Sequence, residues 1–190
     1  MIECTAFTEM LAARGLTYFC GVPDSTFKHW LNCLADSHGR GLTNRLVAIE
    51  RDAVGYAAGY FCSTGRTAVV YLQNSGLGNI VNPLTSLADE QVCGIPLLLL
   101  IGWRGEPGRQ DEPQHRAMGL IMLPLLDVLG IRHAVLPAEA AGAERALSGA
   151  AEYMAATGRA YALIIRDGTF EPYQPLHPGA EGQPAMFREQ

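Results

Sequence analysis

Glu50 is the residue of this 190-residue chain whose type and setting best suit acid–base chemistry. It directly follows an apolar run and precedes a stretch rich in alanine and glycine. Such a stretch predicts a closely packed helix, which would leave the carboxylate partly desolvated and suited to sharing a proton. A carboxylate at a helix start is also stabilised by the helix dipole alone. Glu50 is therefore our candidate catalytic residue, with a structural role at the helix start as the alternative.

Small polar residues follow two other apolar runs. Asn74-Ser75-Gly76 offers polar side chains, a glycine turn and a helix start. It does not complete a dinucleotide fingerprint, because position 81 is valine, and the chain has no phosphate-binding P-loop. Asp24-Ser25 follows the first apolar run, and either side chain can cap the next helix. We interpret both segments as candidate binding sites, with capping as the alternative for Asp24.

A long loop at 102–115 contains glycines and charges of both signs. Loops of this length in compact domains are usually functional. Its Arg104, Arg109 and His115 could meet an anion. The alternative is a solvated surface loop in which acidic neighbours pair with the arginines. Lys28, the single lysine of the chain, is a further candidate cation, although a solvated helix face explains it equally well.

Alternating strands and helices must position these residues. An opening helix is indicated by Phe7, Met10 and Leu11, and further helices are predicted at about 25–37, 50–64, 77–90, 115–129 and 139–156. Apolar strands without polar alternation favour a parallel sheet covered on both faces. The chain therefore predicts a doubly wound α/β fold with six parallel strands, whose ligands lie at the carboxyl ends. The predicted strands are Thr17–Cys20, Arg45–Ile49, Ala68–Leu72, Leu97–Ile101, His133–Leu136 and Tyr161–Ile165.

Composition excludes several classes of function. The net charge of −5 argues against nucleic acid, whose phosphates require a basic face. Apolar runs are too short to span a bilayer, so no membrane partner is expected. The five cysteines form no CxxC pair or zinc-ligand pattern, and we expect free thiols, a cytoplasmic location and no metal ligand on this chain. Residues 1–170 are predicted to form one domain, followed by a proline- and glycine-rich tail at 171–190.

Four segments, taken together, resemble those of one enzyme family. They are GVPDS at 21–25, AIERDAVGYAAGY at 48–60, YLQNSGLGNIVNPLTSLAD at 71–89 and IGWRGEPGRQDEPQH at 101–115. In this order and spacing they resemble the N-terminal pyrimidine-binding domain of phosphonopyruvate decarboxylase, over roughly residues 3–170. The first two are shared with sulfopyruvate decarboxylase and, more loosely, with other decarboxylases that use thiamine diphosphate.

The resemblance implies roles for the candidate residues. Glu50 would hydrogen-bond N1′ of the aminopyrimidine of thiamine diphosphate, and the cofactor would then accept the electrons released with carbon dioxide. The residues implied to help hold the cofactor are Asp24, Asn74, Ser75 and Gly76. Those implied to hold an anionic substrate head group are Arg104, His115 and Lys28.

The resemblance also implies a partner. In this superfamily a second domain with a GDG motif binds the diphosphate and Mg²⁺, and here Arg166-Asp167-Gly168 lacks the first glycine. The chain therefore resembles the alpha subunit of a hetero-oligomer whose beta subunit carries that domain. The expected reaction is decarboxylation of phosphonopyruvate to phosphonoacetaldehyde. The alternatives are sulfopyruvate decarboxylation, a non-catalytic scaffolding subunit and a small-molecule binding module without chemistry.

Overall fold

A sheet of six parallel strands forms the centre of the protein, in the spatial order β2-β1-β3-β4-β6-β5. The structure is a computed structural model that describes residues 1–37 and 41–176. The strands are β1 Tyr18–Gly21, β2 Thr43–Leu46, β3 Ala68–Gln73, β4 Leu97–Gly102, β5 Arg132–Val135 and β6 Tyr161–Ile165.

Helices cover both faces of this sheet. They are α1 Cys4–Ala12, α2 Lys28–Asp36, α3 Glu50–Thr64, α4 Leu77–Pro83, α5 Arg116–Val128 and α6 Ala140–Thr157. Buried residues of α1, α2 and α6 share one apolar core, and those of α3, α4 and α5 share the other. The predicted doubly wound α/β fold is therefore confirmed.

Alternation along the central strands supplies both cores. In β3, Val69 and Tyr71 face the α1–α2–α6 side, whereas Val70 and Leu72 face the other side. Trp30 lies fully buried in the first core, with Phe7, Phe19, Phe27 and Tyr71 edge-on around it. The edge strands β2 and β5 are partly exposed, so the expectation of strands covered on both faces holds for the central strands and not for these two.

The element boundaries depart from the predictions most clearly in α4, in β2 and in the turns before three helices. The helix predicted at 77–90 stops at Pro83 and continues as a π-helical turn at Leu84–Ala88, because proline lacks the N–H that an α-helix needs. The second strand ends at Leu46, earlier than predicted. Single 3₁₀ turns precede three helices where the predictions had continuous α-helix or loop, and they are Ser25–Phe27, Asn74–Gly76 and Pro113–His115.

The segment before α1 is paired with the segment after β6. Ile2 donates its N–H to Thr169 O over 2.9 Å, and Glu171 donates its N–H to Ile2 O over 2.9 Å. Ile2 and Phe170 form an isolated parallel bridge, and both side chains are buried in the first core.

The first residues of the predicted tail lie against α2. Tyr173 donates its N–H to His29 Nδ1 at 3.1 Å, and Leu176 donates its N–H to Asp36 at 2.8 Å. Residues 177–190 lie outside the described residues, so the division at residue 170 stays a prediction.

The strand order reverses between β1 and β3. After β1 the chain turns to β2 on one side, and after β3 it turns to β4 on the other. The loops that follow β1 and β3 therefore diverge, which opens a crevice at the carboxyl edge of a doubly wound sheet. All of the candidate residues except Lys28 lie in loops or helix starts at this edge, and Lys28 begins α2 just beyond it.

Candidate functional site

Glu50 is the first residue of α3 and is half-buried. Its Oε2 accepts a hydrogen bond of 2.8 Å from Nδ2 of Asn79, which lies in the first turn of α4. Its Oε1 has no hydrogen-bond partner among the described residues. One carboxylate oxygen is thus anchored by the protein, and the other remains available to a ligand.

Gly76 provides the space that the Glu50 carboxylate occupies. A Cβ atom at position 76 would lie 2.4 Å from Glu50 Oε1 and 2.6 Å from its Cγ. The backbone of Gly76 is in the ordinary right-handed region, so the absence of a side chain is what the packing requires. The structure therefore brings two predicted site residues, Glu50 and Gly76, into direct contact.

Asp24 is buried and caps the turn that follows β1. Its Oδ1 accepts a hydrogen bond of 2.9 Å from the N–H of Thr26. It also lies against Gly102, where an added Cβ would come within 2.7 Å of Oδ1. Capping is the interaction that the structure shows for Asp24, and a role in cofactor binding stays a prediction.

Asn74 ties the loop after β3 to the loop after β4. It is fully buried, and its Nδ2 donates to Arg104 O over 2.7 Å. Its Oδ1 is enclosed and has no hydrogen-bond partner among the described residues. The same is true of the buried Oγ1 of Thr26 in the turn after β1. Enclosed oxygens without partners are costly in a protein interior, so both are points where a donor would stabilise the site.

Arg104 is bound within its own loop. Its Nε and Nη2 donate to the two oxygens of Asp111 over 2.9 Å and 2.6 Å, and its Nη1 donates to Ser25 Oγ over 2.9 Å. Asp111 also accepts from the N–H groups of Gly105 and Glu112. The Arg104 hydrogen bonds hold the pKa of Asp111 well below its usual range, and Asp111 in turn raises the pKa of Arg104.

A second ionic cluster supports the same loop. Glu106 is paired with Arg166 at 2.7 Å and with Arg109 at 3.1 Å. Arg109, which we expected to meet an anion, therefore meets Glu106. Arg166 follows β6, and the sequence reasoning did not assign it a role. The acidic residues Glu106 and Asp111 therefore pair with arginines of this site, as the alternative interpretation of the loop expected.

In the described part of the chain, neither His115 nor Lys28 is paired with a carboxylate. Nδ1 of His115 lies 3.4 Å from Nε2 of Gln73, which also donates to Ser75 Oγ over 2.7 Å. Lys28 begins α2 and is exposed, and its ammonium has no ion pair within residues 1–37 and 41–176. The substrate-binding roles of Arg104, His115 and Lys28 stay predictions.

Asn79 and Gln73 are the contacts that sequence reasoning missed. Both could have been noticed in the sequence. Gln73 is a polar residue at the end of an apolar strand, and Asn79 lies three residues after Gly76. Across the ranges that the structure describes, no cluster of three potential metal ligands is present and no helix is long and apolar enough to cross a membrane.

The chain matches a known protein family over most of its length. Residues 4–131 match the family described as thiamine pyrophosphate enzyme, N-terminal TPP binding domain. Phosphonopyruvate decarboxylase of Streptomyces viridochromogenes is 38% identical over 138 residues, which are 72% of this chain and 33% of that protein. Sulfopyruvate decarboxylase subunit alpha of Methanocaldococcus jannaschii is 31% identical over 126 residues, which are 66% of this chain and 71% of that subunit.

Solved structures show the same fold. A putative thiamin diphosphate-dependent enzyme from Mycobacterium smegmatis matches 95% of this chain and 33% of its own, with a TM-score of 0.63 and 21% identity. A 4-hydroxybenzoylformate decarboxylase of Rhodococcus jostii RHA1 matches with a TM-score of 0.62 and 19% identity. The chain spans about a third of the length of these structures and of the phosphonopyruvate decarboxylases that it matches.

Proposed function

The chain belongs to the thiamine pyrophosphate enzymes, in the family of their N-terminal TPP-binding domain, and we propose that it is the alpha subunit of a 2-oxo acid decarboxylase. Its relatives in this family are named as decarboxylases of phosphonopyruvate and sulfopyruvate. We favour phosphonopyruvate as substrate, with phosphonoacetaldehyde and carbon dioxide as products. Sulfopyruvate is the second candidate, since one alpha subunit named for it is matched over 71% of its length.

The observation that carries this proposal is the arrangement of the Glu50 carboxylate. Asn79 anchors Oε2, and Oε1 has no partner among the described residues, so the group is oriented and still able to share a proton with a ligand. These features fit an aminopyrimidine ring with its N1′ beside Oε1. When bound, thiamine diphosphate supplies the electron-accepting chemistry of decarboxylation. Glu50 would hold a proton at N1′, and Asn79 would keep the carboxylate directed there.

The exposure of this site supports a partner subunit. Glu50 is half-buried in the single chain, and decarboxylation of this kind benefits from a dry pocket that excludes water. We propose that a beta subunit closes the pocket and binds the diphosphate and Mg²⁺. The subunit alpha names of the sulfopyruvate relatives support a divided enzyme. A cytoplasmic location and a role in phosphonate biosynthesis complete the proposal.

The anionic head group of the substrate would be held by Lys28 and His115. Neither is paired with a carboxylate of the described residues, whereas the guanidinium fork of Arg104 is already occupied by Asp111. We propose that Arg104 contributes through Ser25, to which its third nitrogen donates, and through the shape of the loop. A charge-assisted hydrogen bond to the substrate contributes about 1.5–3 kcal/mol.

Substitution of Glu50 tests the proposal. In the assembled enzyme, Glu50→Gln keeps the shape of the side chain and removes the shared proton, so we expect kcat to fall about 10²–10⁴-fold. The matched control is Asp52→Asn, which removes a charge from the same helix turn and leaves Glu50 intact. Activity of Glu50→Gln within a few-fold of wild type would mean that Glu50 only stabilises the helix start.

The substrate is tested separately. We expect kcat/KM to rank phosphonopyruvate and sulfopyruvate above pyruvate, because pyruvate lacks the second anionic group. Lys28→Ala should lower the values for the first two substrates about 10- to 150-fold, the equivalent of one charge-assisted contact, and change that for pyruvate little. A preference for pyruvate would contradict the proposed substrate class without affecting the role of Glu50.

A further inference from the structure

Gln73 lies between two side chains of the proposed site. It is the last residue of β3, where it is paired in register with Gly102. Its Nε2 donates to Ser75 Oγ over 2.7 Å and lies 3.4 Å from Nδ1 of His115. One amide group thus joins the loop after β3 to the start of α5.

The direction of these hydrogen bonds determines the state of both neighbours. A primary amide nitrogen has two hydrogens and no free acceptor, so it can serve Ser75 and His115 together only as a donor to each. Nδ1 of neutral His115 must then be unprotonated, with the ring proton on Nε2. Because Ser75 Oγ accepts from Gln73, its own O–H remains free to donate elsewhere.

Nε2 of His115 is left available to a ligand. It has no hydrogen-bond partner among the described residues and is not one of the enclosed polar atoms without a partner. The ring is half-buried and Ser75 is exposed. The row His115–Gln73–Ser75 therefore has an N–H at one end and an O–H at the other, and both are donors suited to an anionic oxygen.

We propose that Gln73 is a positioning residue that fixes His115 as its Nε2–H tautomer and leaves His115 and Ser75 as hydrogen-bond donors at the carboxyl edge. The choice of an anionic carboxylate or phosphonate as the group they meet rests on the proposed function. The tautomer itself does not, because it follows from contacts within this chain.

Two other histidines provide internal references for this tautomer. Nδ1 of His29 accepts the backbone N–H of Tyr173 at 3.1 Å, and a backbone N–H can only donate, so neutral His29 must carry its proton on Nε2. Nδ1 of His133 lies 3.2 Å from the carbonyl oxygen of Ile131, which can only accept, so His133 must carry its proton on Nδ1. We expect His115 to match His29 and to differ from His133.

The test is the ring-nitrogen spectrum of the ¹⁵N-labelled full chain, recorded at a pH where the histidines are neutral. The signals of His115 are assigned by their loss in His115→Gln. In wild type we expect Nδ1 of His115 to resonate as an unprotonated nitrogen and Nε2 as a protonated one. In Gln73→Glu a carboxylate replaces the donor, so Nδ1 of His115 should become protonated, while His29 and His133 keep their signals.

Two results would overturn the inference. Protonated Nδ1 in wild-type His115 would mean that the Gln73 amide is turned over and accepts from the ring. Unchanged His115 signals in Gln73→Glu would mean that Gln73 does not govern the tautomer. If Gln73→Glu does not fold, Gln73→Leu replaces it and should give His115 both tautomers. No cofactor, substrate or partner is needed, so failure here is distinct from failure of the proposed decarboxylase.

Discussion

Glu50 depends for its position on a neighbour that has no side chain. Gly76→Ala would place a methyl group 2.4 Å from the carboxylate, and the carboxylate would have to move away from its present place. A displacement of about an ångström in a catalytic group costs on the order of 10²-fold in rate. We expect the variant to fold, because the backbone at Gly76 suits any residue, and to lose roughly that factor in kcat of the assembled enzyme.

Gly78→Ala is the matched control for this substitution. It lies two residues further along, on the exposed side of α4, and an added Cβ there meets nothing within 4 Å. Alanine is the better helix former by about 0.5–1 kcal/mol, so this variant should keep its activity and gain slightly in stability. Equal activities for the alanine variants at 76 and 78 would contradict the placement of Glu50 against the glycine.

The pairing of Asp111 with Arg104 predicts a stability that depends on pH. The pKa of Asp111 is lowered in the folded protein, so its charge contributes stability above the unfolded-state pKa of about 4, and this contribution is lost as pH falls further toward the folded pKa. Asp111→Asn should therefore lower the free energy of unfolding by about 1.5–3 kcal/mol at neutral pH. The difference from wild type should shrink progressively below about pH 4.

Urea denaturation of both proteins across this pH range measures the difference. Glu112→Gln is the control, because it removes an exposed carboxylate from the same loop. A difference between wild type and Asp111→Asn that stays constant down to acid pH would show that the Asp111 charge is not what holds the loop.

Single residues also mark the limit of what the sequence could predict. Glu50 could be singled out as a candidate because a charged residue at the boundary between an apolar run and an alanine-rich helix is unusual. The partner of Arg104 could not, because Glu106, Asp111 and Glu112 were all within reach along the chain. The choice of Asp111 depends on a loop path that turns at Gly105 and Gly108, both of which have positive φ.

At the scale of elements, the loop after β4 packs closely against α5 at two glycines, Gly105 and Gly119. Gly105 has φ of +68°, and its carbonyl oxygen would lie 1.7 Å from a Cβ added at Gly119 in α5. Since that neighbour is backbone, Gly119→Ala should force the loop and helix apart and cost about 1–3 kcal/mol. Arg104 is carried by this loop, so the lost packing should also displace its contact with Ser25.

Thermal unfolding followed by circular dichroism measures this effect, with Gly149→Ala as the control. Gly149 is in the exposed part of α6, and a Cβ there meets nothing within 4 Å. We expect a lower Tm for the first variant and an equal or higher Tm for the second. A Gly119→Ala protein as stable as wild type would contradict the close approach of the loop to α5.

Elements were predictable where one periodic signal dominated. β6 begins and ends where predicted, because its five consecutive apolar residues mark both ends of the strand clearly. The boundary of α4 was not predictable from apolar spacing, since the apolar pattern continues past Pro83 while the hydrogen bonding changes there. Short polar strands such as β2 depend on pairing with β1, which spacing along one chain does not encode.

At the scale of the whole molecule, the fold could be predicted from the order of strands and helices along the chain. Alternating strands and helices leave few ways to bury apolar strands, and the doubly wound sheet is one of them. This topology also predicts that the candidate site lies at the carboxyl edge of the sheet. The ion pairs between the loops could not be predicted in this way, because they depend on distances between segments far apart in sequence, such as Arg166 and Glu106.

The proposed partner gives a prediction for the protein as a whole. We expect the purified chain, supplied with thiamine diphosphate, Mg²⁺ and phosphonopyruvate, to release no carbon dioxide above background. The reason is that Glu50 is half-buried and the proposed diphosphate site lies on another subunit. Carbon dioxide release that is abolished by Glu50→Gln would show that the chain is active alone. Release that persists in this variant would come from a contaminating enzyme.

The pairing of Ile2 with Thr169 and Glu171 closes the described chain into a ring. A mechanical load applied between residues 2 and 170 would therefore act first on two adjacent hydrogen bonds, and these would open in sequence. A load applied between the start of β3 and the end of β4 would instead slide these two strands past each other, with the hydrogen bonds along six register pairs resisting at once. The fold should thus be weak along one direction of pulling and strong along another.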